Sequence, residues 1–163
     1  MSSSTDFERQ LRDASLRVTR PRLAVLAAVH ERPHVDTDSV IGAVRATLGD
    51  VSHQAVYDVL RALTAAGLVR RIQPAGSVAR YESRVGDNHH HLVCRVCGAI
   101  TDVDCAVGHA PCLTPGSGDP DLDASPDGDA DPDVDAAAGF EIDEAEVVWW
   151  GRCPACAAAA RTT

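Results

Sequence analysis

Residues 52–82 read SHQAVYDVLRALTAAGLVRRIQPAGSVARYE, and this stretch decides the fold. Ser52 is a favourable N-cap. Val56, Val59, Leu60 and Leu63 then recur at i, i+3, i+4 and i+7, the apolar stripe of a helix that packs on a core. Gly67 stops that helix near Ala66. Leu68–Ile72 and Val78–Glu82 flank a turn at Gln73-Pro-Ala-Gly76 and predict a β-hairpin. Opposite the stripe lie His53, Gln54, Tyr57, Asp58 and Arg61, with His53, Tyr57 and Arg61 spaced to line one face.

Upstream, the pattern is helical. Phe7–Ala14 forms a short Arg-bearing helix. Thr19-Arg20-Pro21 opens a second, since Thr caps well and Pro suits the first turn. Its apolar side carries Leu23, Leu26, Ala27 and Val29, and Pro33 ends the connection that follows. Asp36 or Thr37 caps a third helix with Val40, Ile41, Val44 and Leu48 at helical spacing, and Gly49 stops it. Three or four short helices and a hairpin make a winged-helix pattern. On the outer face of the fourth helix, Tyr57 suits sugar or thymine methyl groups, and Gln54 and Arg61 suit base edges. Arg17, Arg20 and Arg22 at the second helix start, with Arg70, Arg71, Arg80 and Arg84 on the hairpin, are expected to meet phosphates.

The chain's 163 residues suit one domain or two small ones, and 45% apolar with 24% charged residues is a globular balance. Its net charge of −9 is unevenly spread. Residues 1–90 hold 12 Arg against 10 acids, and residues 91–163 hold 3 Arg against 14 acids. The acidity therefore does not exclude nucleic acid as a partner of the first half. MSSSTDFERQ carries no secretory pattern, and the longest apolar run, Leu23–Val29, is far short of a membrane span. A soluble cytoplasmic protein without a membrane partner is expected, so the six cysteines read as metal ligands or redox thiols.

From Gly86 onward the character changes. Cys94-x-x-Cys97 and Cys153-x-x-Cys156 each make a tight knuckle, and two knuckles complete the tetrahedral S₄ shell of structural Zn²⁺; iron is the alternative ion. Fifty-five residues separate the pairs, so the metal ties the chain's end to its middle. Cys105 and Cys112 are left over, as free thiols or as a redox pair. In a strand, His89 and His91 share one side and His90 takes the other. With Glu82 and Asp102 nearby, they offer a mixed N/O site suited to Fe²⁺ or Mn²⁺, with His34 as a further ligand from the helical half. A metal held by both halves fixes their orientation and becomes a switch. Strands are expected at Ala99–Val103, Phe140–Ile142 and Glu146–Trp150. A Pro-, Gly- and Asp-rich acidic loop is expected at 114–138. Asp123-x-Ser125-x-Asp127-Gly128 begins like a calcium loop, but Val134 stands at its twelfth position and a solvated linker is the better reading.

The stretches Leu16-Arg-Val-Thr-Arg-Pro-Arg22, Ser52–Leu60, Ala66-Gly-Leu-Val69, Arg80-Tyr-Glu82, His89–Cys94 with Cys97-Gly98, and Cys153-x-x-Cys156 together resemble the ferric uptake regulator family of metal-dependent bacterial repressors. Within it the chain is similar to the actinobacterial catalase-repressor type. The resemblance implies an α+β fold: a winged-helix DNA-binding domain at 1–85 and a small α/β dimerisation domain at 86–163. It implies a homodimer on double-stranded operator DNA, structural Zn²⁺ on Cys94, Cys97, Cys153 and Cys156, and a regulatory metal on His34, Glu82, His89, His91 and Asp102. Asp at position 102 is associated with peroxide sensing. Such sensors oxidise their own ligands through bound Fe²⁺, here His34 or His89. The implied role is repression of catalase or oxidative-stress genes and of the protein's own promoter, with peroxide as signal and no catalytic activity. The family's dimerisation helix falls on Cys105–Ala138, whose composition predicts it short or missing. A second regulatory site of some members maps near His90, His109 and Ala145; Ala145 cannot ligate, and Glu144 or Glu146 is the substitute. Iron- or zinc-uptake control is the near alternative, and a metal carrier without DNA function is the distant one. A metalloenzyme is disfavoured, because no acid/base group or substrate pocket can be named.

Overall fold

The computed structural model describes residues 4–87, 89–105 and 146–161. The chain divides into two units, Met1–Gly86 and Asp87–Thr163. In the first, each of three helices starts at a side chain that caps it. Helix α1 (Ser4–Asp13) starts before the expected Phe7 and carries exposed Arg9–Asp6 and Arg12–Glu8 pairs. Helix α2 (Arg20–Glu31) opens at Thr19, whose hydroxyl accepts from the Arg22 amide at 3.5 Å, with Pro21 in the first turn. Strand β1 (Val35–Asp36) leads into α3 (Thr37–Leu48). The Asp36 carboxylate caps α3 at the Ser39 amide, 2.8 Å away, and this bond, helped by the nearby Arg80 charge, holds its pKa below the ordinary value. Gly49, at φ 84, takes the left-handed turn that ends α3. Helix α4 (His53–Ala65) is capped by Ser52, which accepts from the Ala55 amide at 3.1 Å.

These helices share one core. Phe7 and Leu11 of α1, Val25, Leu26 and Val29 of α2, Val40, Ile41 and Val44 of α3, and Val56, Leu60 and Leu63 of α4 are buried together, with Val69 and Tyr81 beneath. On α2 the buried set is Val25, Leu26, Ala28 and Val29, whereas the expected Leu23 and Ala27 are half-buried at the rim. The reason is that α2 packs against α1, α3, α4 and the sheet, so it has no single inward stripe.

The hairpin strands are β2 (Arg70–Ile72) and β3 (Arg80–Glu82), both shorter than the sequence pattern suggested. Strand β3 is central in an antiparallel sheet of order β1-β3-β2, with Val35 opposite Tyr81. Strand β1 was not expected: two residues carry no readable alternation.

The second unit holds β4 (His89–Cys94), β5 (Ile100–Asp104) and β6 (Val148–Gly151), in the order β5-β4-β6. Strand β5 is antiparallel to β4, and β6 is parallel to it. A turn over residues 95–97 closed by Gly98 (φ 71) joins β4 to β5. Helix α5 (Pro154–Ala159), which the sequence pattern did not suggest, begins at Cys153 as N-cap. This is the α+β arrangement of helices with small sheets that the sequence indicated. The acidic loop at 114–138 with its calcium-like run, the strand at 140–142, the dimerisation-helix segment beyond Cys105, and His109, Cys112, Glu144 and Ala145 lie outside the described residues. Among the described residues no helix is long and apolar enough to cross a membrane.

Leu63 is fully enclosed, so Leu63→Ala should destabilise the chain by about 2–5 kcal/mol. Ser52→Ala, which removes only the cap, should cost about 1 kcal/mol. Urea unfolding followed by helical circular dichroism checks both; equal losses would contradict the assigned core.

Candidate metal centres and nucleic-acid interface

The thiolate centre follows from strand register. Cys94 ends β4 opposite Gly151 of β6, and Cys153 follows two residues later. Two hydrogen bonds shape the first knuckle: the Cys94 amide donates to Ala99 O at 2.8 Å and the Gly98 amide to Cys94 O at 2.9 Å. The Arg95 amide donates to Gly151 O at 2.9 Å and locks the two strands at this end. Arg95 also lies over the Trp150 ring, 5.1 Å from its centroid. The sulfurs of Cys94, Cys97, Cys153 and Cys156 all lie within 4.8 Å of one another, with Cys97 and Cys153 at 3.8 Å.

Backbone donors favour a thiolate at Cys94. The Cys153 amide reaches Cys94 Sγ at 3.3 Å, and together with the Cys97 and Val96 amides it lowers the Cys94 pKa to about 6. Cys156 is raised to about 12, chiefly because its thiol hydrogen-bonds to Cys153 and Cys97 among crowded sulfurs. The four sulfurs cannot all be anionic without a cation, and a divalent ion satisfies all of them at once. The donor set therefore fits structural Zn²⁺.

The candidate nitrogen and oxygen ligands fall into two groups, one in each unit. In the first unit, His34 follows Pro33 at the entry to β1 and Glu82 ends β3, beside β1 in the sheet. His34 Nε2 and Glu82 Oε2 are 3.1 Å apart, and both side chains are buried. His34 adopts φ 59, a left-handed backbone that costs a non-glycine residue about 1–3 kcal/mol. Arg80 holds it there, donating to the His34 carbonyl at 3.0 Å. Arg70 stands 4.0 Å from the other Glu82 oxygen.

In the second unit, His91 pairs in register with Asp102, and His89 with Asp104, so these side chains share one face. His91 Nε2 is 3.6 Å from Asp102 Oδ1, and the His89 and His91 rings meet edge to face at 5.0 Å. His90 lies on the opposite face, against Trp149, with ring centroids 5.3 Å apart. The sequence reading missed Asp87. Its carboxylate holds His89 Nδ1 at 2.8 Å, which directs Nε2 to any metal. The signal was a carboxylate two residues before a histidine, across a bend. Imidazoles beside carboxylates fit Fe²⁺ or Mn²⁺. Cys105 is half-buried just past β5.

The exposed face of α4 carries His53, Gln54, Tyr57, Asp58 and Arg61, all solvent-accessible. Arg17 and Arg20 are exposed beside it, and Arg22 donates to Arg17 O at 2.7 Å. Arg17, Thr19, Pro21 and Arg22 share a shallow cleft with Ala55 and Val59, so the start of α2 adjoins α4. The hairpin departs from expectation. Arg80 is spent on His34, Arg70 is turned toward Glu82, and Arg84 is half-buried. Only Arg71 is exposed on the strands, hydrogen-bonded to Gln73. The Glu82 carboxylate and the His34 carbonyl recruit guanidinium groups that sequence alone leaves for phosphate.

Residues 13–107 match the model of the ferric uptake regulator family. The chain is 62% identical over 156 residues to the transcriptional regulator FurA of Mycobacterium tuberculosis, covering 96% of this chain and 93% of that protein. The ferric uptake regulator of Pseudomonas aeruginosa, solved with manganese, superposes with a TM-score of 0.61 at 27% identity, over 91% of this chain and 98% of that one. The peroxide stress regulator of Campylobacter jejuni shares the fold, with a TM-score of 0.58 at 19% identity, over 96% of this chain and all of that one (100%).

Cys94→Ser and Cys153→Ser should each release zinc and unfold the second unit, since a structural zinc contributes on the order of 10 kcal/mol of apparent folding energy. Metal analysis with thermal unfolding checks this; full zinc content and an unchanged melting temperature would remove the S₄ assignment.

Proposed function

The chain belongs to the ferric uptake regulator family, and from that premise we propose that it is a cytoplasmic, metal-dependent repressor that releases its operator on exposure to peroxide. It is a transcriptional regulator, with four thiolates fit for zinc and a second donor set fit for Fe²⁺ or Mn²⁺. The observation that carries the reading is two imidazole–carboxylate groups, buried His34 with buried Glu82 and buried His91 with half-buried Asp102. Each pair supplies only part of a ligand shell. Because each pair is incomplete, metal binding favours the state in which further ligands are available. A shift from mostly open to mostly closed needs about 5 kcal/mol of differential affinity, within reach of several N/O ligands available in one state.

The residues divide the work. Arg17, Arg20 and Arg22 neutralise phosphates beside α4, while His53, Gln54, Tyr57 and Arg61 meet base edges. The zinc unit joins two copies into a homodimer, and its exposed Leu92 and Trp149, neighbours in register, suit burial against a partner. Bound Fe²⁺ supplies one-electron reduction of peroxide. As ligands, His34 and His89 would be the residues exposed to the oxidant that bound iron would generate, and oxidation of either would remove a ligand. Iron-responsive control without peroxide sensing is the second reading, favoured by relatives named ferric uptake regulation protein. Control of catalase or other oxidative-stress genes follows only if the peroxide reading holds.

Tyr57→Ala and Arg61→Ala should each weaken specific DNA binding by about 1–3 kcal/mol with metal content unchanged. Arg20→Ala should weaken binding to all sequences and flatten the salt dependence. Titration of a duplex from the protein's own promoter at several salt concentrations separates these; unaltered binding by both α4 variants would exclude α4 as the reader.

On that duplex, Fe²⁺- and Mn²⁺-loaded protein should both bind, and peroxide should release only the Fe²⁺ form. Mass spectrometry should then find one added oxygen on a peptide containing His34 or His89. A Cys105–Cys112 disulfide with equal sensitivity under Mn²⁺ would make sensing thiol-based. Iron-dependent binding that resists peroxide would favour the iron-responsive reading.

A further inference from the structure

Helix α4 carries one acid, Asp58, on the exposed face assigned to DNA. A carboxylate there opposes the polyanion, so its presence needs a reason. Gln54 Nε2 donates to Asp58 Oδ1 at 3.0 Å, and Arg61 Nη2 approaches the same oxygen at 3.4 Å. Both neighbours use Oδ1, which leaves Oδ2 to neither. The side chains are open to solvent, 51% for Asp58 and 83% for Arg61, and an exposed pair of this kind adds little to helix stability. Helix α4 already has its cap at Ser52 and its core at Val56, Leu60 and Leu63, so Asp58 adds to helix stability only through these exposed bonds.

Its bonds do have a consequence for recognition. By accepting from Nε2, Asp58 fixes which end of the Gln54 amide faces away from it. By facing Arg61, it offsets one positive charge on the reading face. A carboxylate only accepts hydrogen bonds. In the major groove adenine offers its amino group beside the N7 acceptor, which repels a carboxylate, whereas cytosine offers the N4 amino group alone.

We propose that Asp58 is a base-reading residue of α4 and that its Oδ2 accepts from the N4 amino group of a cytosine in each half-site, with Gln54 and Arg61 positioned by the same side chain. This deepens the DNA-binding reading above and rests on it. Asparagine at position 58 keeps the shape but adds a donor, the pattern that matches adenine.

The test uses full-length Mn²⁺-loaded protein and its Asp58→Asn variant, each selecting from a randomised duplex library, followed by titration of the enriched sequences. The wild type should enrich a motif with cytosine at one position of each half-site. The variant should lose that cytosine or exchange it for adenine, with a roughly fivefold to hundredfold change in discrimination there. The rest of the motif should persist. Identical motifs from both proteins, with every affinity shifted by one common factor, would overturn the proposal and leave Asp58 as a charge only. A wild type that enriches no motif would instead defeat the DNA-binding reading itself.

Discussion

The convergence of four cysteine sulfurs is the constraint on which the second unit depends. Its sheet has three short strands and few buried apolar side chains, with Val93 and Cys94 the main ones among the described residues. So small a core cannot by itself hold β4 against β6, which lies more than fifty residues away in sequence. The knuckle at Cys94–Cys97 and the start of α5 at Cys153 meet at the same end of those strands, where the Arg95 amide also joins them. A cation there pins the parallel register. Strand β4 carries the histidines, so the same closure fixes which side chains oppose His89 and His91 across β5. A cation in the thiolate cluster would thereby also settle the face that carries His89 and His91.

In the first unit the governing constraint is burial. Four helices enclose a core of branched aliphatic residues with Phe7 and Tyr81, and α4 is left with one face in water. That face and the start of α2 collect exposed cationic and hydrogen-bonding groups in a chain whose net charge is −9. Local clustering, not total charge, decides whether such a surface suits a polyanion. Beneath it, the buried carboxylate of Glu82 draws His34 and Arg70 around it, and Arg80 braces the strained backbone of His34. Val35 and Tyr81, next to His34 and Glu82 in the chain, belong to the same core as α4.

The patterns legible in sequence were those whose information is local. A stripe repeating every three to four residues in Val56–Leu63 specifies a helix, and Thr19, Ser52 and Gly49 mark boundaries because caps act within one turn. Two Cys-x-x-Cys pairs specify an S₄ site because the knuckle is itself a local shape and the ion supplies the long-range link. The face partition of His89, His90 and His91 followed from strand alternation alone.

Tertiary structure decided what depends on which distant group arrives. Strand β1 exists because Val35 finds Tyr81, and two residues have no period of their own. Val25 and Ala28 of α2 are buried because several elements surround that helix. Arg70 and Arg80, indistinguishable in sequence from phosphate-binding arginines, are committed to Glu82 and His34 because a buried carboxylate and a strained carbonyl need partners. Asp87 fastens His89 only once a bend brings them together. Residue types and spacings determine which chemistries this chain can host. Burial, which penalises an enclosed polar group left without a partner, determines which side chains remain available to perform them.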